Sequence, residues 1–147
     1  HKNSNTTILG PIQWQWLEKE LSREHDILIL ASSIQVLATE HRFEKWSNIP
    51  HERDKLLALL NKLSPKVLII SGDRHRSGFY KLDNIYEFTS SSLNKGIFPS
   101  YETDTLLQGK TYTQNNYGIV EFHEQSLNLF IKDENMNILE SLEIPLK

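Results

Sequence analysis

The sequence predicts one α/β unit with mixed sheets, and three observations carry that reading. Residues 10–73 run helix, strand, loop, helix, strand, which is the unit of a parallel sheet with a crossover helix. After residue 77 the apolar runs shorten and gather around turn residues, as antiparallel hairpins do. At 147 residues the chain is long enough for one domain with its own core, and no linker, repeat or low-complexity tract divides it.

Each element has its own signal. Residues 1–7, HKNSNTT, are polar and expected to fray, and Ile8-Leu9 reads as the end of a short strand. Gly10-Pro11 opens a helix, because proline suits the first helical position. Ile12, Trp16, Leu17 and Leu21 recur at helical spacing to about residue 23. DILILA, 26–31, is a continuous apolar run expected to form a buried strand, and Ser32 to Gln35 turn out of it. Residues 38–50 read as a polar loop. A second helix is expected over 51–63, with an apolar face of Leu56, Leu57, Leu59, Leu60 and Leu63 and a stop at Pro65. Val67–Ile70 is a core strand, with Ile69 and Ile70 expected to be buried. FYKL and IYEFTS flank Asp83-Asn84, a hairpin turn. Residues 90–116 are rich in Ser, Asn, Thr and Gly and read as loop. YGIVEFH and LNLFIKD form a second hairpin about 124–126, and 137–146 adds a last strand.

Composition excludes several classes. With no cysteine there is no disulfide, thiolate metal site or cysteine nucleophile, and the compartment stays open. The net charge of −3 gives no general attraction to nucleic acid or anionic membrane. No stretch approaches the roughly 18 apolar residues of a membrane span, and no signal peptide stands at the start. The chain begins at His1 and not Met, so it reads as processed or cut from something longer.

The chemistry concentrates in KVLIISGDRH, 66–75. An apolar strand ends at Ser71-Gly72, and Asp73 and His75 follow one residue apart. In an extended segment two such residues project to one side. A carboxylate and an imidazole so placed can grip one hard cation or straddle two, and phosphoryl-transfer enzymes use paired metals about 3.5–4 Å apart as such a clamp. The carboxyl end of a strand is also where open α/β sheets place ligands. The plain alternative is a strand-ending Gly-Asp turn followed by an unrelated histidine.

Three separated segments extend the motif: LGPIQWQWLEKEL (9–21), SSIQVLATEHRFEKWSNIPHERDKLLALL (32–60), and SGDRHRSGFYKL followed by YEFTSSSLN (71–82 and 86–94). In this order and spacing, with a closing NYGIVEFHE at 116–124, they resemble the C-terminal half of the PhoD-like (alkaline phosphatase D) metallophosphoesterases. The resemblance implies that 1–147 is the C-terminal part of a calcineurin-like αββα sandwich, two stacked sheets flanked by helices. It implies Asp73 and His75 as metal ligands in the position of the superfamily's last motif. It points to Gln35 as a third candidate ligand, because the wider superfamily places a metal-binding histidine there and an amide oxygen suits a hard cation; capping a turn is the alternative. The family's other metal residues, a further Gly-Asp motif and an Asp-Asp-His-Asp segment, lie upstream; here there is no second Gly-Asp and no Asp-Asp. The chain thus looks like about half of an active site.

Other residues keep two readings. Arg74 and Arg76 are expected to point away from Asp73 and His75, either toward phosphate or into ion pairs with surface carboxylates. His41, in a loop with Glu40, Arg42 and Glu44, is a candidate proton donor to a leaving group or a solvated loop histidine. Trp14, Trp16 and Trp46 read as packing residues. Glu52-Arg53 reads as serving the first-turn electrostatics and packing of its helix. Ser71 and Ser90–Ser92 lack the His–acid partner of a nucleophile.

The resulting expectation is hydrolysis of phosphate mono- or diesters using two divalent or trivalent ions of Ca, Fe, Zn or Mn type, completed by the upstream half of the same domain. Family resemblance adds a periplasmic or secreted location. The competing expectation is a catalytically inactive remnant serving as a binding module, and nucleic-acid binding is third.

Overall fold

The computed structural model describes residues 6–63, 65–94, 96 and 100–146. The expectation of a frayed start therefore lies, for residues 1–5, outside the described residues. Helix α1 spans Gly10–Leu21 and α2 spans Pro50–Leu60. The strands are β1 (Leu28–Ser32), β2 (Val67–Ser71), β3 (Ser77–Leu82), β4 (Ile85–Ser90), β5 (Leu107–Tyr112), β6 (Asn116–Phe122), β7 (Ser126–Asp133) and β8 (Ile138–Pro145).

Two sheets result, confirming an α/β fold with mixed sheets. The larger has strand order β1-β2-β4-β3-β5. Its β1, β2 and β4 run parallel, while the β3–β4 hairpin and β5 make it mixed. The smaller is an antiparallel meander, β6-β7-β8. Alternation along the central strands builds two cores. Val67, Ile69, Tyr80 and Ile85 face α1 and α2, together with Trp14, Leu17, Leu56 and Leu60. Leu68, Phe79, Tyr86 and Phe88 face Leu127, Leu129, Ile131 and Ile144 of the small sheet. The layers are therefore helix, sheet, sheet among the described residues.

Glu52 ties the helices together. It sits 7 % exposed in the first turn of α2, yet its carboxylate serves the start of α1. It accepts from the Trp14 indole at 2.9 Å, the Thr7 hydroxyl at 2.9 Å and the Ile8 and Leu9 amides at 3.0 and 3.3 Å. The Leu9 side chain cannot cap α1, so a carboxylate 43 residues away satisfies its orphan donors. The expectation of first-turn electrostatics and packing was too local.

Several expectations are corrected. Ile8-Leu9 leads directly into α1 and is not a strand. The buried stripe of α1 is Trp14, Leu17 and Leu21, with Ile12 84 % and Trp16 56 % exposed, so the helix is turned from the phase that Ile12 and Trp16 suggest. β1 is an edge strand with alternating burial, not a fully buried one, and Ile29 on it is 40 % exposed. Ile69 is fully buried, but Ile70 is 38 % exposed, because the small sheet does not extend over it. The 90–116 segment contains β5, which pairs with β3.

Candidate functional site

The parallel strands β1, β2 and β4 end at one edge of the large sheet, and the loops that leave them carry every candidate residue. Beneath those loops lies a buried polar layer. Gln35, with no exposed surface, donates its amide to Thr89 Oγ1 at 2.8 Å, and Thr89 pairs with Ser71 Oγ at 2.9 Å. Glu87, 1 % exposed, accepts the amides of Val36 and Leu37 at 2.9 and 2.6 Å. Arg53 donates to the carbonyls of the same two residues at 2.7 and 2.8 Å. The 35–37 turn is thus clamped from β4 on one side and α2 on the other. Burial pushes the Glu87 carboxyl up, against the pull of Ser71, the two amides and Arg53.

Gly72 to Arg76 form the loop after β2. The segment is not extended as expected: Asp73 (φ 67) and His75 (φ 49) are both left-handed. Burial still alternates through it, so Asp73 and His75 lie exposed on one side and Arg74 and Arg76 turn inward. Two non-glycine residues held left-handed cost on the order of 1 kcal/mol each, and such strain concentrates at functional sites. The inward arginines are 4 % and 5 % exposed at their side chains and share Glu102, which is paired closely with Arg74 and lies 3.6 Å from Arg76 Nε. The partner is therefore a half-buried carboxylate in a cleft and not one on the open surface. Arg76 also donates to Ser100 Oγ at 3.0 Å and Thr111 Oγ1 at 3.1 Å.

His41 meets Gln35, with its Nε2 2.9 Å from Gln35 Oε1. The Phe43 amide needs an acceptor at His41 Nδ1, 3.2 Å away, which places the ring proton on Nε2 and makes it the donor to Gln35. Burial, then Arg74 and Lys45, lower the His41 pKa to about 4, so the ring is neutral at neutral pH. The Gln35 oxygen is accordingly engaged by His41. Asp104 braces this loop by accepting the Thr39 and Glu40 amides at 2.6 and 3.0 Å, while Glu40 accepts from Thr105 at 3.0 Å.

The structure therefore joins Gln35 with His41, and Asp73 and His75 with the arginines along a cleft of about 560 Å³ that Phe43, Tyr101 and Glu102 also line. A Cβ on Gly72 would lie 3.7 Å from the Ser33 carbonyl, so the two loop pairs adjoin. A carboxylate and an imidazole suit a cation, but among the described residues no three Asp, Glu, His or Cys side chains cluster to hold one. Sequence reasoning missed Glu87, Glu102 and Asp104. The one available signal was that two arginines turned inward require a carboxylate.

A layered α/β sandwich with its loops at the carboxyl ends of parallel strands is a scaffold for ligand binding. A family profile described as PhoD-like phosphatase matches residues 1–137, and the chain belongs to that family. Among solved structures it resembles "Structure of PhoD" at 17 % identity and a TM-score of 0.73, covering 97 % of this chain and 33 % of that one. It also resembles the structure described as "GAP50 the anchor in the inner membrane complex of Plasmodium", at 14 % identity and a TM-score of 0.76, covering 92 % of this chain and 42 % of that one. The chain thus spans a third to two-fifths of their lengths. No curated protein matches.

Proposed function

We propose that the chain is the C-terminal part of a metal-dependent phosphoesterase acting on phosphate mono- or diesters. The observation that carries the reading is the outward pair of Asp73 and His75, each held left-handed at the carboxyl end of β2. Asp73 and His75 would hold metal, with the remaining donors supplied by the upstream half of the domain. Gln35 would reach a metal only if His41 released its oxygen. Bound metal, of Ca, Fe, Zn or Mn type and two ions in the complete enzyme, would polarise phosphoryl oxygens and activate water. This chain's own residues orient the site. Glu87 and Arg53 fix the 35–37 turn, Gln35 and Thr89 fix His41 over it, and the Arg74–Glu102 pair fixes the loop that carries Asp73 and His75. His41, neutral and already donating to Gln35, serves as a positioning group in this arrangement; acting as a proton donor would require that bond to break. Membership of the family supports a periplasmic or secreted location.

In the complete protein, His75→Ala should lower hydrolysis of bis(p-nitrophenyl) phosphate or p-nitrophenyl phosphate at least 100-fold and reduce metal content by elemental analysis, with the fold retained. Asp73→Asn should weaken metal binding. Normal turnover and metal content in both variants would sink the assignment. The 147-residue chain alone should hydrolyse these esters no faster than buffer with metal, since two ligands hold a cation loosely.

A binding module without catalysis is the second reading. It is favoured by the absence of a three-donor cluster among the described residues and by a similarly folded protein being described as an anchor. A complete protein that binds no metal and hydrolyses no ester would select it.

A further inference from the structure

The cleft that Asp73 and His75 line holds three arginines, Arg42, Arg74 and Arg76, against two carboxylates, Asp73 and Glu102. Arg74 and Arg76 share the single carboxylate of Glu102, and both side chains are at least nine-tenths buried. Among the described residues, Arg74 Nε, Arg76 Nε and Glu102 Oε2 make no hydrogen bond. Arg42 adds a third guanidinium at the rim. Both Arg42, 5.3 Å from the Phe43 ring centroid, and Arg74, 4.5 Å from it, pack over that ring. The chain as a whole carries −3, so this local excess is not a reflection of overall charge.

A buried charge left incompletely paired costs several kcal/mol, and such an arrangement persists where a ligand completes it. Two further facts agree. Arg76 is committed to Ser100 and Thr111. Among the described residues Arg74 is held only by Glu102 and the Phe43 face, so it is the guanidinium with donors to offer. Paired planar guanidiniums suit a tetrahedral oxyanion, which they bind by parallel N–H···O bonds.

We propose that Arg74, with Arg42 at the rim, forms an oxyanion subsite that receives a second phosphoryl group of the substrate, while Asp73 and His75 face the ester that is cut. Assigning the anion to a substrate rests on the phosphoesterase reading; the oxyanion site itself does not. The preferred substrates are then phosphate esters whose leaving group or remaining moiety carries another phosphoryl group.

The test has two arms. In the first, the 147-residue chain is titrated with orthophosphate and with pyrophosphate by calorimetry in EDTA at constant ionic strength. Saturable binding is expected, with pyrophosphate the tighter, and Arg74→Gln should weaken it at least tenfold. If Arg74→Gln does not fold, the exposed Arg42→Gln, expected to weaken binding severalfold, takes its place. No saturable binding, or binding indifferent to these variants, overturns the site. In the second arm, the complete protein is assayed on an aryl monophosphate and on an aryl ester bearing a second phosphate. Arg74→Gln should raise KM for the second at least tenfold more than for the first. An unchanged ratio overturns the substrate assignment. Metal-free binding in a complete protein that hydrolyses neither ester also overturns it, and in that case the phosphoesterase reading fails while the oxyanion site stands.

Discussion

Single residues decide more of this structure than their local context suggests, and Glu52 shows why. One carboxylate satisfies the indole of Trp14, the hydroxyl of Thr7 and two amides at the start of α1. Burial raises its pKa, but those four donors together outweigh burial and hold it below the ordinary value of 4.5. A carboxyl depressed in the folded state stabilises the fold above its unfolded pKa and loses that contribution as pH falls through the folded one. Glu52→Ala should cost about 2–3 kcal/mol in urea unfolding at pH 7, since it strands buried donors. The difference from the parent should shrink below pH 4.5; a constant difference down to pH 3 would contradict the role given to the carboxylate. From the sequence, Asp73 and His75 stood out as candidates because strand, glycine, acid and imidazole are contiguous. The pairings of Arg74 with Glu102, Gln35 with Thr89 and Trp14 with Glu52 did not, because each spans 28 or more residues of the chain.

At the level of elements, legibility followed pattern strength. The β3–β4 and β6–β7 hairpins were readable from turn residues between apolar runs, and the parallel pairing of β1 with β2 from the helix between them. β5 was not readable. Its middle residues are polar and exposed, Gly109 is left-handed (φ 77), and its pairing with β3 is irregular, so no alternation survives. The phase of α1 failed for a related reason: three tryptophan or isoleucine positions compete for one face, and Trp14 takes it through its bond to Glu52. The contact between the two sheets also turns on one position. A Cβ on Gly118 of β6 would lie 2.6 Å from the Phe88 ring and 3.0 Å from Ser90 Cβ, so only glycine lets β6 cross β4 so closely. Gly118→Ala should destabilise by about 1–3 kcal/mol through overpacking. A thermal midpoint equal to the parent's would show that Phe88 moves aside freely.

Among the described residues, the β1 edge of the large sheet presents an apolar surface that no other element covers. β1 is an unpaired edge of the large sheet, and Ile29 and Ile70, on the face it shares with Leu68, are 40 % and 38 % exposed. Long apolar edges of this kind are ordinarily paired or covered. The chain spans 33 % of the PhoD structure it matches, which supports the proposal that the upstream half of the domain covers this edge. That proposal separates two neighbouring isoleucines that the sequence presents as equivalent. Ile69 lies in the helix-side core, so Ile69→Asp should unfold the chain in any context by burying an unpaired charge. Ile70→Asp should shift the stability of the 147-residue chain by no more than about 0.5 kcal/mol, the usual range for a surface change. In the complete polypeptide the same substitution should cost several times more, because the charge would then face a packed neighbour. Hydrogen exchange gives the second readout: β1 amides that point away from β2 should exchange rapidly in the chain alone and slowly in the complete protein. Equal, small effects of Ile70→Asp in both contexts, with equal β1 exchange, would mean that this face stays open to solvent and that the missing metal donors must be brought to Asp73 and His75 from elsewhere.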